Sequence, residues 1–194
     1  MKNPIITLEL ASEHPVIKNK YFYTELSLPA SWHEIRDAIQ KLRAVSRTDQ
    51  SFDISVIDCP YLPELTETSL DALTIDELNF FAKRLSELNA DEQRVLNGIF
   101  LSRKQSGHYE NSLGMQELIN LTYGLDTVMI ASNINNDEQL GQFVIDKDLH
   151  EDVSSVPENA LYLLDKQKIG KLQRENDGGI YIGGCYVITS GYAI

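Results

Sequence analysis

Four histidines, two cysteines and a surplus of carboxylates are the residues of this chain with chemistry to offer. A metal site needs His, Cys or acid ligands at fixed spacing, yet His14, His33, His108 and His150 form no HxH or HxxxH pair. Cys59 and Cys185 lie far apart and outside any CxxC, so neither a zinc site nor a disulfide framework is indicated. A nucleophilic serine sits in a GxSxG-type elbow in many hydrolases, and the chain has none. The run Asp146-Lys147-Asp148-Leu149-His150-Glu151-Asp152 has the acid density of a calcium loop. Its sixth position is Glu151, where an EF-hand needs Gly, so a solvated helix end is expected there. Gly178-Gly179 and Gly183-Gly184 lead into no helix bearing Lys-Ser/Thr, as a phosphate cradle would. No Asp-x-Lys or Glu-x-Lys of the kind nucleases use occurs. These readings leave no catalytic residue, no metal ligand and no cofactor site, and favour a protein that is not an enzyme.

What remains is charge. The 194 residues carry 29 acids against 17 Lys and Arg, a formal net charge of −12. Direct binding to nucleic acid needs a basic patch that displaces counterions from phosphates, so direct contact with DNA or RNA is not expected, nor is binding to an anionic membrane. A protein of this sign is steered towards basic surfaces. The excess is also segregated: residues 49–92 sum to −9 and residues 110–165 to −10, while the flanking stretches are weakly basic. Charge that serves solubility alone is more evenly mixed. The single Trp32 and the tyrosines are expected in cores and on edge strands, because the basic groove of a single-strand binder is missing. No apolar run approaches the roughly 20 residues that span a bilayer, and the N-terminal apolar stretch is too short for a signal peptide. A cytoplasmic protein is the expectation.

The elements that must carry this charge can be read from periodicity and caps. Residues 5–10 and 21–28 read as strands. Ser31 with Glu34 forms a capping box ahead of Ile35, Ile39 and Leu42 at helical spacing. Residues 52–57 alternate as a half-buried strand, and Pro60 and Pro63 then force irregular chain. Thr74 with Glu77, and Asn89 with Glu92, cap two amphipathic helices expected to form an antiparallel hairpin. An exposed loop is expected over 105–112. A short helix over 115–123 and a strand over 127–131 follow. Asn135 with Glu138 should cap a helix carrying Leu140, Phe143 and Val144. Ser155 with Glu158 should cap another, with Pro157 in its first turn and Leu161, Leu164 and Ile169 on its apolar face. Residues 180–188 are strand-like, with Gly183-Gly184 marking a bulge or hairpin turn. The reading is an α+β chain of small units: an N-terminal ββαβ domain (1–70), a central helical domain (71–112) and a C-terminal α+β domain (113–194) ending in antiparallel strands.

The order of these features resembles the ArdA-type antirestriction proteins of conjugative elements, in particular their Gram-positive members. Four patches carry the resemblance: the strand, Leu28-Pro29 and helix of Thr24–Leu42; Ile57-Asp58-Cys59-Pro60-Tyr61-Leu62-Pro63, similar to the family's Asp-aromatic-x-Leu-Pro passage; Thr74-Ile75-Asp76-Glu77-Leu78-Asn79 with its Glu-Leu-Asn; and Val156-Pro157 through Asp165, Ile169 and Gly170, then Gly179 and the final strands. The resemblance implies small domains in an elongated arrangement whose carboxylates stand in for DNA phosphates. It implies occupation of the DNA site of a type I restriction–modification enzyme, and a homodimer.

The carboxylates nominated for such a surface are Asp71, Asp76, Glu77, Glu87, Asp91 and Glu92 in the central block. In the C-terminal block they are Glu117, Asp126, Asp137, Glu138, Asp146, Asp148, Glu151 and Asp152. Each has a plainer explanation as an ordinary exposed acid, and helix capping alone explains Glu77, Glu92 and Glu138. The alternative is a non-enzymatic interaction module of a mobile element that binds some other basic protein.

Overall fold

The computed structural model describes residues 4–14, 16–46, 51–68, 70–71, 73–105, 107 and 113–189, with the backbone alone for Asp71 and Asp152. Most of the loop expected over 105–112, His108 included, lies outside these residues. In chain order the elements are β1 (Ile6–Glu13), β2 (Tyr21–Leu28), α1 (Trp32–Ser46), β3 (Asp53–Asp58), β4 (Leu70–Asp71), α2 (Ile75–Glu87), α3 (Ala90–Gln105), β5 (Leu113–Gly114), α4 (Met115–Asn120), β6 (Ile130–Ser132), α5 (Asp137–Asp146), α6 (Glu151–Ser154), α7 (Lys166–Asp177), β7 (Ile180–Ile182) and β8 (Cys185–Val187). Short 3-10 turns cover Pro63–Glu67, Leu125–Thr127 and Glu158–Leu163. The fold is α+β. It divides into two compact units, Met1–Leu88 with Tyr109–Tyr123, and Asn89–His108 with Gly124–Ile194. Helix α2 belongs to the first and α3 to the second.

The first unit is built on an antiparallel sheet of order β2-β1-β3. Alternation along β1 buries Ile6, Leu8, Leu10 and Ser12 and turns Thr7, Glu9, Ala11 and Glu13 to the other face. Helix α1 closes the apolar face with Ile35, Ala38 and Leu42. It starts at the expected box: the Ser31 N–H donates to Glu34 Oε2 at 2.7 Å and the Glu34 N–H to Ser31 Oγ at 3.3 Å. Helix α2 starts where Thr74 Oγ1 accepts from the Glu77 N–H and buries Ile75, Leu78, Phe81, Ala82 and Leu85. Asn79 ties it to the end of β2. The Ala30 N–H donates to Asn79 Oδ1 at 2.7 Å, and Asn79 Nδ2 donates to the Ala30 carbonyl at 2.9 Å. The Glu-Leu-Asn run thus has a structural task.

The second unit centres on Ile134, Leu140, Val144, Ile145, Val153 and Tyr186. Strands pair antiparallel in the order β6-β8-β7. The last stretch is a hairpin: positive φ at Gly183 (54°) and Gly184 (80°) gives the primed turn that matches strand twist. Both edges of β8 are therefore occupied, by β7 and β6, so that strand offers no open edge of the kind that recruits a second copy. Helices α5 and α7 cross at contact distance through Gly141 and Gly170. A Cβ on Gly141 would overlap the Lys166 carbonyl, and one on Gly170 the Asp137 carbonyl.

Three local expectations are corrected. The helix expected from Ser155 is interrupted: a 3-10 turn over Glu158–Leu163 ends at an extended Leu164, and α7 begins at Lys166 with Asp165 as its cap. No side chain caps the earlier turn, whereas the Asp165 carboxylate takes the Lys168 N–H. Helix α5 is capped by Asn136, which accepts from the Gln139 N–H at 2.9 Å, and not by Asn135 with Glu138. The strand expected over 127–131 begins at Ile130, because Leu125–Thr127 coil into a 3-10 turn.

Candidate functional site

A grouping of like charge in the first unit lies outside the carboxylates nominated from the sequence. The face of the N-terminal sheet opposite α1 carries Thr7, Glu9, Ala11 and Glu13 from β1 and Tyr21, Tyr23, Glu25 and Ser27 from β2. From β3 it carries Asp53 and Ser55, with Asp58 opposite Thr7 across a register shift. None of these positions is Lys or Arg, and five are carboxylates. Glu9 stands directly opposite Glu25, Ala11 opposite Tyr23 and Asp53, and Glu13 opposite Tyr21. Neighbouring strands lie about 4.8 Å apart and i, i+2 residues about 6.8 Å apart, so these carboxylates form a close two-dimensional array.

Charge counted along the chain hides this array. Residues 1–48 sum to +2 because seven bases, among them Lys18 and Lys20 in the β1–β2 turn and Arg36, Lys41 and Arg43 on α1, outnumber five acids. The signal was available in the period-2 pattern, which puts Glu9 and Glu13 on one face with Ala11.

The nominated carboxylates divide by environment. In the first unit Asp76 and Glu77 are exposed in the first turn of α2, and Glu77 accepts from the Thr74 hydroxyl at 2.5 Å. Glu87 pairs with Arg84 at 2.6 Å. Glu117 is half-buried in α4 and has an interaction partner. Asp71 lies in β4, its side chain outside the described residues. In the second unit Asp91 pairs with Arg94 at 2.5 Å, and Glu92 accepts from the Asn89 N–H at 2.7 Å, so both are held at the start of α3. Asp126 and Glu138 are exposed.

Asp146, Asp148 and Glu151 are exposed together where α5 gives way to α6, with Asp152 between Glu151 and the buried Val153. Asp146 accepts from Gln142 at 2.5 Å, and Asp148, at φ 53°, accepts from the Ser154 hydroxyl at 2.7 Å. Neither contact cancels a charge. Among the described residues no group of three or more His, Cys, Asp or Glu could hold a metal ion.

Asp137 is different. Its carboxylate takes Arg174 Nε at 2.7 Å and Nη2 at 3.2 Å, and the Tyr181 hydroxyl at 2.7 Å. The Arg174 hydrogen bond is the chief reason its pKa lies below the usual aspartate range, and the carboxylate in turn raises that of Arg174. Burial, then Asp137, holds the Tyr181 phenol protonated well above its ordinary value. This cluster joins α5, α7 and β7 and serves the fold. The basic residues of α7 (Lys166, Lys168, Lys171, Arg174) also lie on the helix that crosses α5, so the acid excess around 137–146 is locally offset.

Cys59 is buried, and that burial pushes its thiol up to about 11, which leaves no thiolate nucleophile at neutral pH. Trp32 is exposed on α1 with the Arg36 guanidinium 4.9 Å from its ring, in neither the core nor the edge strand expected of it. The grouping with the clearest shape is thus an acidic sheet face flanked by exposed tyrosines. Comparison with protein-family models finds no match, and comparison with curated proteins finds none either.

Proposed function

We propose that the protein is a charge decoy for DNA that occupies the DNA-binding site of a type I restriction–modification enzyme. The observation that carries the reading is the open face of the N-terminal sheet: Glu9, Glu13, Glu25, Asp53 and Asp58 with no base among them. Duplex DNA carries roughly one charge per 1.7 Å of axis, and about half of that faces a protein bound on one side. Five carboxylates spread over the roughly 20 Å length of three adjacent strands approach that density. The exposed acids of 146–152 supply a second patch of the same sign. Recognition of this kind needs no bond making, in keeping with a chain that lacks a recognisable catalytic motif.

The test is cleavage of unmodified plasmid by a purified type I endonuclease with increasing amounts of this protein. Inhibition by the native chain, lost in a folded variant carrying Glu9→Gln, Glu13→Gln, Glu25→Gln and Asp53→Asn, is the expected result. Undiminished inhibition by that variant removes the sheet face from the mechanism, and absence of inhibition by the native chain removes the decoy reading itself.

A further inference from the structure

The two edges of the N-terminal sheet are finished differently. The edge of β3 lies against the 3-10 turn Pro63–Glu67. The edge of β2 meets no strand among the described residues. The phase of the ladder shows which groups it leaves open. The His14 N–H donates to the Lys20 carbonyl at 2.7 Å, in the register that pairs Ser12 with Phe22 and Leu10 with Thr24. Hydrogen-bonded and non-hydrogen-bonded pairs alternate in an antiparallel ladder. Phe22, Thr24 and Leu26 therefore bond to β1, while Tyr21, Tyr23, Glu25 and Ser27 turn their N–H and C=O groups outward.

Exposed edges are commonly guarded by charged side chains, Pro, a bulge, short length or a covering helix. Strand β2 runs eight residues in unbroken register with β1 and has no Lys, Pro or bulge. Its one charged side chain is Glu25, and α2 contacts the strand and is bonded to Ala30 just beyond its end. Beside it lies a groove of about 260 Å³ lined by Thr24, Glu25, Leu26 and Ser27 on the strand and by Glu34, Asp37, Ala38 and Lys41 on α1. The helical residues fall at i, i+3, i+4 and i+7, one face of the helix. Three carboxylates against Lys41, with the Arg36 guanidinium 3.7 Å from Asp37, leave the groove with a net negative sign.

We propose that this groove takes an extended basic segment of another protein as a fourth strand of the sheet. The backbone of that segment pairs with the outward groups of Tyr23, Glu25 and Ser27, the mode in which an open edge captures a peptide. Its side chains alternate between the two faces, so Lys or Arg on one side meets Glu25 and on the other meets Glu34 and Asp37. A second copy of this chain is a poor occupant, because pairing β2 with itself brings the carboxylates of two grooves together, and facing like charges destabilise a ladder. The inference stands apart from the decoy reading, since it requires an edge and a strand and no nuclease.

The experiment titrates the whole protein with a heptapeptide of alternating arginine and valine and follows residue-resolved amide hydrogen exchange. The expected result is that exchange at Tyr23, Glu25 and Ser27 slows by about tenfold or more while Thr24 and Leu26 change little. The same peptide N-methylated on the residues facing β2, or with glutamate for arginine, should give no protection, and the variant Glu25→Lys with Asp37→Lys should bind the parent peptide more weakly. The proposal is overturned if the parent peptide does not bind, or if the N-methylated peptide binds equally well, which indicates charge contact without strand pairing. It is overturned too if the same amides become protected with protein concentration alone, which indicates self-pairing.

Discussion

Glu9 and Glu25 face each other across the β1–β2 ladder at a non-hydrogen-bonded position, where side chains approach most closely. Like charges placed this way weaken a sheet by roughly 0.2–1 kcal/mol, so folding alone does not favour the pair. We expect Glu25→Gln to raise the unfolding free energy measured in urea by an amount within that range while lowering inhibition of the nuclease. A Glu25→Gln variant that is both less stable and fully inhibitory contradicts a functional reason for the pair.

The Asp137–Arg174–Tyr181 cluster gives a second expectation, with a defined pH sign. Charge-assisted hydrogen bonds contribute about 1.5–3 kcal/mol each, so Asp137→Asn should destabilise the protein by about that much at neutral pH. The folded carboxylate has a depressed pKa. Its contribution is therefore fully present above the unfolded aspartate value of about 3.9 and is lost as pH falls through the lower, folded value. Chemical denaturation of both proteins from pH 7 downward should show their difference shrinking only below the ordinary aspartate range.

The crossing of α5 and α7 admits no side chain at its centre. Gly141→Ala or Gly170→Ala sets a methyl group into a backbone carbonyl of the other helix. Because neither backbone can move independently, the loss should match or exceed the upper end of the overpacking range, about 3 kcal/mol. Thermal unfolding of Gly170→Ala, compared with Gly114→Ala, where nothing lies within 4 Å, separates the packing effect from any effect of glycine replacement as such.

The acids at 146–152 should act as a sum. An exposed charge pair is worth about 0.2–1 kcal/mol, so Asp148→Asn alone should weaken inhibition only several-fold. Removing Asp146, Asp148, Glu151 and Asp152 together should weaken it far more. Both effects should shrink as salt rises, since charges are screened over about 8–10 Å at moderate ionic strength. Inhibition assays at two salt concentrations, with circular dichroism to check folding, measure this. A single substitution that abolishes inhibition would point to a specific site instead.

Much of the fold was legible in the sequence because its signals are local. The boxes Ser31/Glu34, Thr74/Glu77 and Asn89/Glu92 each satisfy donors within one turn of chain, so residue type at i and i+3 suffices to place a helix start. The strand-forming residues of 5–10 and 21–28 and the paired glycines at 183 and 184 are equally local, although β1 runs on to Glu13. Other features depended on residues far away in the chain. The start of α7 at Asp165 is not legible because Ser155 and Asp165 offer equivalent caps, and the choice follows packing against the 134–153 core. Gly141 and Gly170 look like ordinary helical glycines until α5 meets α7. The open acidic face of the sheet needed the register of three strands separated by a helix, since the basic residues of the β1–β2 turn and of α1 offset Glu9, Glu13 and Glu25 in a count along the chain. Periodicity settled which face each carboxylate of β1, β2 and β3 would take, but only strand pairing decided that those faces would meet.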